Sequence, residues 1–184
     1  MREGEDMERE RRMERETGRG RMPGGDEERR RETGRGRALG GDEERRRETV
    51  VMKMDSRSEN EEFARVVAAV FASRLDPTLE ELDDIKTAVS EAVTNAIIHG
   101  YQGGEGIVEL NLTAEENVLT VTVQDAGVGI PDVEKAMEPM YTTAPEGERS
   151  GMGFSFMEAF MDQVEVISAP GKGTTVIMRK KIGR

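Results

Sequence analysis

Residues 50–184 predict an α+β fold in which helices cover one face of a mixed sheet. Three patterns lead there. Leu82, Ile85, Val89, Val93 and Ile97 recur at helical spacing on one stripe. Two short strands at 107–113 and 118–124 flank the polar turn 114–117. A second strand pair, 164–168 and 174–180, closes across Pro170-Gly171-Lys172-Gly173. Helices interleaved with hairpins suit a helical layer over a sheet.

In chain order, residues 50–54 predict a short strand. Residues 59–73 predict a helix, with Phe63, Val66, Val67, Val70 and Phe71 at helical spacing. Asp76-Pro77 ends it. Thr78 caps the next helix, with Glu81 three residues on completing a capping box. That helix runs to about residue 98 and stops before Gly100. After the first hairpin come a glycine-rich loop, a short helix near 133–137, and residues 138–150, which lack apolar periodicity and predict a mobile loop. A helix at 154–161 precedes the closing hairpin.

Aromatic residues are 4% of the chain and Trp is absent, so Met, Val, Ile and Leu must build the core. The absence of Cys excludes disulfides, thiolate metal sites and cysteine nucleophiles. No apolar run approaches the ~20 residues of a membrane span, and the charged N-terminus lacks a signal peptide's apolar region. A cytoplasmic protein with no membrane partner fits.

Residues 1–49 are a different kind of sequence. Gly24 to Thr33 recurs unchanged from Gly40 to Thr49, and Thr17, Thr33 and Thr49 mark a 16-residue period. With 15 Arg against 15 Asp and Glu and almost nothing apolar, the segment predicts a disordered repeat tail. It reads either as an Arg-rich interaction arm or as a dispensable extension, and a misassigned start, with translation beginning at Met52 or Met54, is the sharper form of the second. The whole net charge of −11 therefore belongs to residues 50–184. An acidic domain argues against direct nucleic-acid binding and for a basic protein surface as partner.

Four polar motifs interrupt the core pattern. Glu91 and Asn95 stand at i and i+4, on one helix face. Alone, the pair is more often a solvent-facing polar pair. The chemical reading is an Asn oxygen on a hard cation such as Mg²⁺, with a carboxylate base one turn away. Asp125-Ala126-Gly127-Val128-Gly129-Ile130 follows a strand. Gly127 and Gly129 let the backbone approach a flat ligand, and Asp125 can accept from an exocyclic amine such as adenine N6. Taken singly, D-x-G-x-G also describes ordinary turns. Arg149-Ser150-Gly151-Met152-Gly153-Phe154 precedes a helix, where backbone N–H groups and an Arg fork suit phosphate, although G-x-G before a helix is also a common hinge. Gly173-Thr174-Thr175 opens the last strand, where a hydroxyl can support the Asp through a water.

In this order and spacing the four motifs resemble the Bergerat-fold ATPases, the superfamily of gyrase, Hsp90, histidine kinases and MutL. The resemblance implies a two-layer α/β sandwich with ATP between helices and sheet, under a lid near residues 138–151. Ser90-Glu91-Ala92-Val93-Thr94-Asn95-Ala96-Ile97-Ile98-His99-Gly100-Tyr101, together with Phe63-Ala64-Arg65-Val66, Leu75-Asp76-Pro77-Thr78 and Glu148 to Phe154, is similar to the anti-sigma F family of endospore-forming bacteria. The similarity covers nearly all of residues 50–184 and none of the tail.

That family resemblance implies a homodimer that binds a sporulation sigma factor and, with ATP and Mg²⁺, phosphorylates a serine of an anti-anti-sigma partner. It assigns Asn95 to magnesium and Glu91 to the general base. It assigns Asp125, Gly127, Gly129 and Thr174 to adenine, and Gly151 and Gly153 to the phosphates. Arg149 would stabilise the transferring phosphoryl group, and Arg65 would contact protein partners. His99, the only histidine, reads as a structural or pocket-rim residue, which removes a phosphohistidine role. Two alternatives stay open: a stress-response kinase of the anti-sigma B type, and a nucleotide-gated sigma-binding module without kinase activity.

Overall fold

In a computed structural model, residues 47–138 and 152–183 are described. The repeat up to residue 46, the expected lid apart from Glu138, and the candidate residues Arg149 and Gly151 lie outside the described residues. The elements are β1 (Glu48–Asp55), α1 (Glu59–Ala72), α2 (Leu79–Asn95), β2 (Ile107–Glu115), β3 (Val118–Asp125), α3 (Val133–Met137), α4 (Gly153–Phe160), β4 (Gln163–Ser168) and β5 (Thr174–Lys181).

The five strands form one sheet in the order β1-β2-β3-β5-β4. Every pairing is antiparallel, so the expected mixed sheet is corrected. Strand β5 lies between β3 and β4 and runs antiparallel to both, so those two strands share one direction without being paired to each other. Alternate residues of the central strands, Val108, Leu110 and Leu112 on β2 and Leu119, Val121 and Val123 on β3, are buried beneath the helices. Strand β1 begins at Glu48, whose carboxylate meets Arg74 Nη1 at 2.6 Å.

Helix α2 lies over the sheet with Ile85, Ala88, Val89, Ala92 and Val93 buried, as its stripe predicts. Its capping box is formed: Thr78 Oγ1 accepts from Glu81 N at 3.1 Å and Glu81 Oε2 accepts from Thr78 N at 2.7 Å. Chiefly because of the Thr78 N–H, the Glu81 carboxyl is held below its usual range. Lys180 Nζ joins α2 to β5 and α4 by donating to Asp84 Oδ2 at 3.0 Å and to Phe160 O at 2.6 Å.

Helix α1 buries only part of the apolar set found at helical spacing. Phe63, Val66 and Val70 are 58%, 49% and 65% exposed, while Ala64, Ala68, Phe71 and Ala72 are buried. Small alanine side chains let α1 sit close against its neighbours, while Phe63, Val66 and Val70 turn outward. Of the large side chains at helical spacing, the domain covers Phe71 and, in part, Val67.

Candidate functional site

Past Asn95 the helix continues as a π-helical turn over Ala96–Gly100. Its wider spacing appears in Tyr101 N donating to Ala96 O at 3.2 Å, five residues back. The turn carries Gly100 directly under the loop that follows β3. Val128 N donates to Gly100 O at 2.9 Å. A methyl on Gly127 would lie 2.0 Å from that same oxygen, and one on Gly100 would lie 2.8 Å from Asp125 Oδ1. Close backbone approach is therefore why glycine stands at 127. Gly129 has φ +72°, and a methyl there would meet Ala169 O at 2.0 Å. The loop is held from the other side by Gly171 N donating to Val128 O at 2.7 Å.

Asp125 and Thr174 face each other across the β3–β5 register at the end of the sheet. They are the buried polar side chains among the described residues, at 5% and 9% exposure. Burial pushes the Asp125 carboxyl above its usual range, and the Gly127 and Thr174 backbone N–H groups pull it partly back. Gly127 N donates to Asp125 Oδ1 at 2.9 Å. The result is a fixed, buried acceptor.

Opposite, the first residue of α4 meets α2. A methyl on Gly153 would lie 3.1 Å from Glu91 Oε2 and 3.2 and 3.4 Å from the Asn95 amide atoms. Glu91, Asn95 and the first residue of α4 thus share one space. The residues there fit a magnesium–phosphate group: Asn95 offers an amide oxygen, a helix N-terminus carries N–H donors, and no side chain at 153 fills the space. Arg65 lies elsewhere, on α1, paired with Glu61 and Glu62 at 3.6 Å each. His99 is half-buried in the π turn.

Sequence reasoning missed two residues here. Tyr101 Oη donates to Ile107 O at 2.6 Å and accepts from Ala126 N at 2.9 Å, pinning the loop beside Asp125. Ser168 Oγ accepts from Ile130 N at 2.8 Å and donates to Gly173 O at 2.8 Å. Neither carries a spacing signal. Each was visible only as a hydroxyl-bearing residue beside a glycine-rich turn.

The loop's tolerance is testable. Gly127→Ala drives a methyl into backbone that cannot swing away, so it is expected to cost about 1–3 kcal/mol of stability and weaken ADP binding about tenfold. Denaturant melts and calorimetric titration of the same preparation check both.

A model of the histidine kinase-like ATPase domain matches residues 54–180. The anti-sigma F factor of Clostridium acetobutylicum is 60% identical over 130 residues, covering 71% of this chain and 91% of that protein. That of Caldanaerobacter subterraneus subsp. tengcongensis is 58% identical over 133 residues, covering 72% and 93%. The crystal structure of the RsbU and RsbW domains of a Mycobacterium tuberculosis protein superposes with a TM-score of 0.53 at 16% identity, covering 74% of this chain and 33% of that one, a likeness of fold. No helix among the described residues is long and apolar enough to cross a membrane. With its long helix, π turn and glycine-rich loop arranged around a buried Asp, the chain belongs to the histidine kinase-like ATPase family, among the anti-sigma F factors.

Proposed function

We propose that this protein is an anti-sigma factor and a serine kinase: it holds a sporulation sigma factor inactive and uses Mg-ATP to phosphorylate a serine of an anti-anti-sigma protein. One observation carries the catalytic half, the convergence of Glu91, Asn95 and Gly153 on one space. Asn95 would hold magnesium through its amide oxygen. The ion, when bound, supplies positive charge against the triphosphate. Glu91 accepts the proton of the attacking serine hydroxyl; a carboxylate is a weak base at neutral pH, so its placement must supply the advantage. The serine oxygen–phosphorus bond forms as the bond to the ADP leaving oxygen breaks. The α4 N–H groups, Gly151 and Arg149 stabilise the charge on the transferring group. Asp125, Gly127, Gly129 and Thr174 bind adenine.

The names of the curated relatives support the sigma-binding half. Arg65, 41% exposed at its side chain, is the proposed partner contact. The relevant test mixes the purified chain with labelled ATP, magnesium, the sigma factor and the anti-anti-sigma protein of the same genome. ATP-dependent sigma binding together with serine phosphorylation is expected. Sigma binding without phosphorylation would leave a nucleotide-gated binding module, and preference for a stress sigma factor would favour the anti-sigma B alternative.

The uncovered face of α1 supports the homodimer. Phe63, Val66 and Val70 lie exposed on α1, and β1 is an edge strand of the sheet among the described residues. A second copy would bury the exposed face of α1. Val66→Asp is expected to yield a folded monomer in analytical ultracentrifugation, because a charge cannot be buried there unpaired. An unchanged dimer would move the interface elsewhere.

A further inference from the structure

We propose that Ser168 is a specificity-setting residue of the nucleotide pocket: it accepts a hydrogen bond from the Thr174 hydroxyl and so leaves Thr174 an acceptor toward the base. The inference rests on the reading of Asp125 as the adenine contact.

Proton counting around one oxygen leads there. Ser168 Oγ has three neighbours: Gly173 O at 2.8 Å, Ile130 N at 2.8 Å and Thr174 Oγ1 at 3.0 Å. A carbonyl oxygen only accepts, so Ser168 gives its single proton to Gly173. A backbone N–H only donates, so Ile130 uses one Ser168 lone pair. The remaining bond, between the two hydroxyls, can then only be Thr174 donating to Ser168. With its proton committed, Thr174 Oγ1 presents lone pairs alone. It stands in register opposite Asp125, whose ionised carboxylate is also acceptor-only. Two acceptors at one end of a pocket favour a base edge bearing an amino group, such as adenine N6, and oppose a carbonyl in that place. The same Ser168 oxygen joins the loop after β3 to the β4–β5 turn, so orientation and loop position are set together.

Hypoxanthine isolates the effect, because it differs from adenine by a carbonyl in place of the amine. Calorimetric titration of the full-length protein with Mg-ADP and with Mg-IDP gives both affinities. Wild type is expected to prefer ADP. In Ser168→Ala, Thr174 is free to rotate and donate, so ADP is expected to bind about fivefold more weakly and the ADP/IDP preference to shrink about fivefold. Thr174→Val removes the same acceptor, so Ser168→Ala added to it is expected to change the preference little; the effects are non-additive. Thermal melts recorded alongside separate a folding defect from a binding one.

An ADP/IDP preference unchanged in Ser168→Ala, or additive effects in the double variant, would overturn the assignment of Ser168 and leave Asp125 in its role. Equal binding of ADP and IDP by wild type would overturn the adenine reading itself, and this proposal with it.

Discussion

Glu91→Gln is expected to slow phosphoryl transfer to the partner serine on the order of 10³-fold while changing Mg-ATP affinity by less than about threefold. Gln keeps the shape of Glu, so packing against Gly153 and the neighbouring Asn95 is preserved. What disappears is a proton acceptor used only as the serine oxygen attacks. Loss at that step lowers the rate without lowering ground-state nucleotide binding, which would rest on Asn95, the α4 N-terminus and the Asp125 loop. Glu91→Ala would be less clean, since it also opens space beside Asn95. Single-turnover assays with saturating ATP and partner, paired with nucleotide titrations, separate the two quantities. Transfer within about tenfold of wild type would remove Glu91 from the role of base.

Asp125→Asn is expected to weaken ADP binding on the order of 100-fold, the second large effect. Asn retains one oxygen for Gly127 N–H, but its NH₂ group replaces the oxygen that would face an amino group or the Thr174 N–H. A charge-assisted acceptor becomes a donor pointed at donors.

The same residue predicts a pH dependence. Burial raises the Asp125 carboxyl in the folded state above its unfolded value. The folded chain therefore binds this proton more readily than the unfolded chain. The stability that this group contributes is fully present below the unfolded value and is lost as pH rises through the folded one. Nucleotide binding runs the opposite way, because only the ionised form accepts from the base without offering a proton of its own. ADP affinity should fall as pH drops through the window just above the usual carboxylate range, while this group's contribution to stability grows. Titrations and melts across that window, wild type against Asp125→Asn, should show both slopes only in wild type. Parallel curves would mean that Asp125 does not titrate in contact with the ligand.

Much of this domain was legible because its local rules agree. The stripe on α2 is a buried stripe, and Thr78 and Glu81 form the capping box that their spacing announces. Alternation in β2 and β3 marks the face that the helices cover. The order of Glu91, Asn95, Asp125, Gly127, Gly129, Gly153 and Thr174 along the chain carries the nucleotide reading, since each motif lies in the last turn, at the end or in the loop next to a regular element.

By itself, the sequence determined the elements, their order and the residue types available for nucleotide chemistry, because 3.6-residue and 2-residue periods, caps and turn glycines act over a few residues. Tertiary structure alone decided which apolar face of α1 is buried, since that depends on how closely Ala64 and Ala68 let neighbouring elements approach. It decided the antiparallel course of β5 between β3 and β4. It brought Tyr101 and Ser168 to the loop after β3, across 25 and 38 residues of chain. Hydrogen bonds between such distant residues leave no local pattern, because their geometry exists only once the sheet and helices have closed around the site.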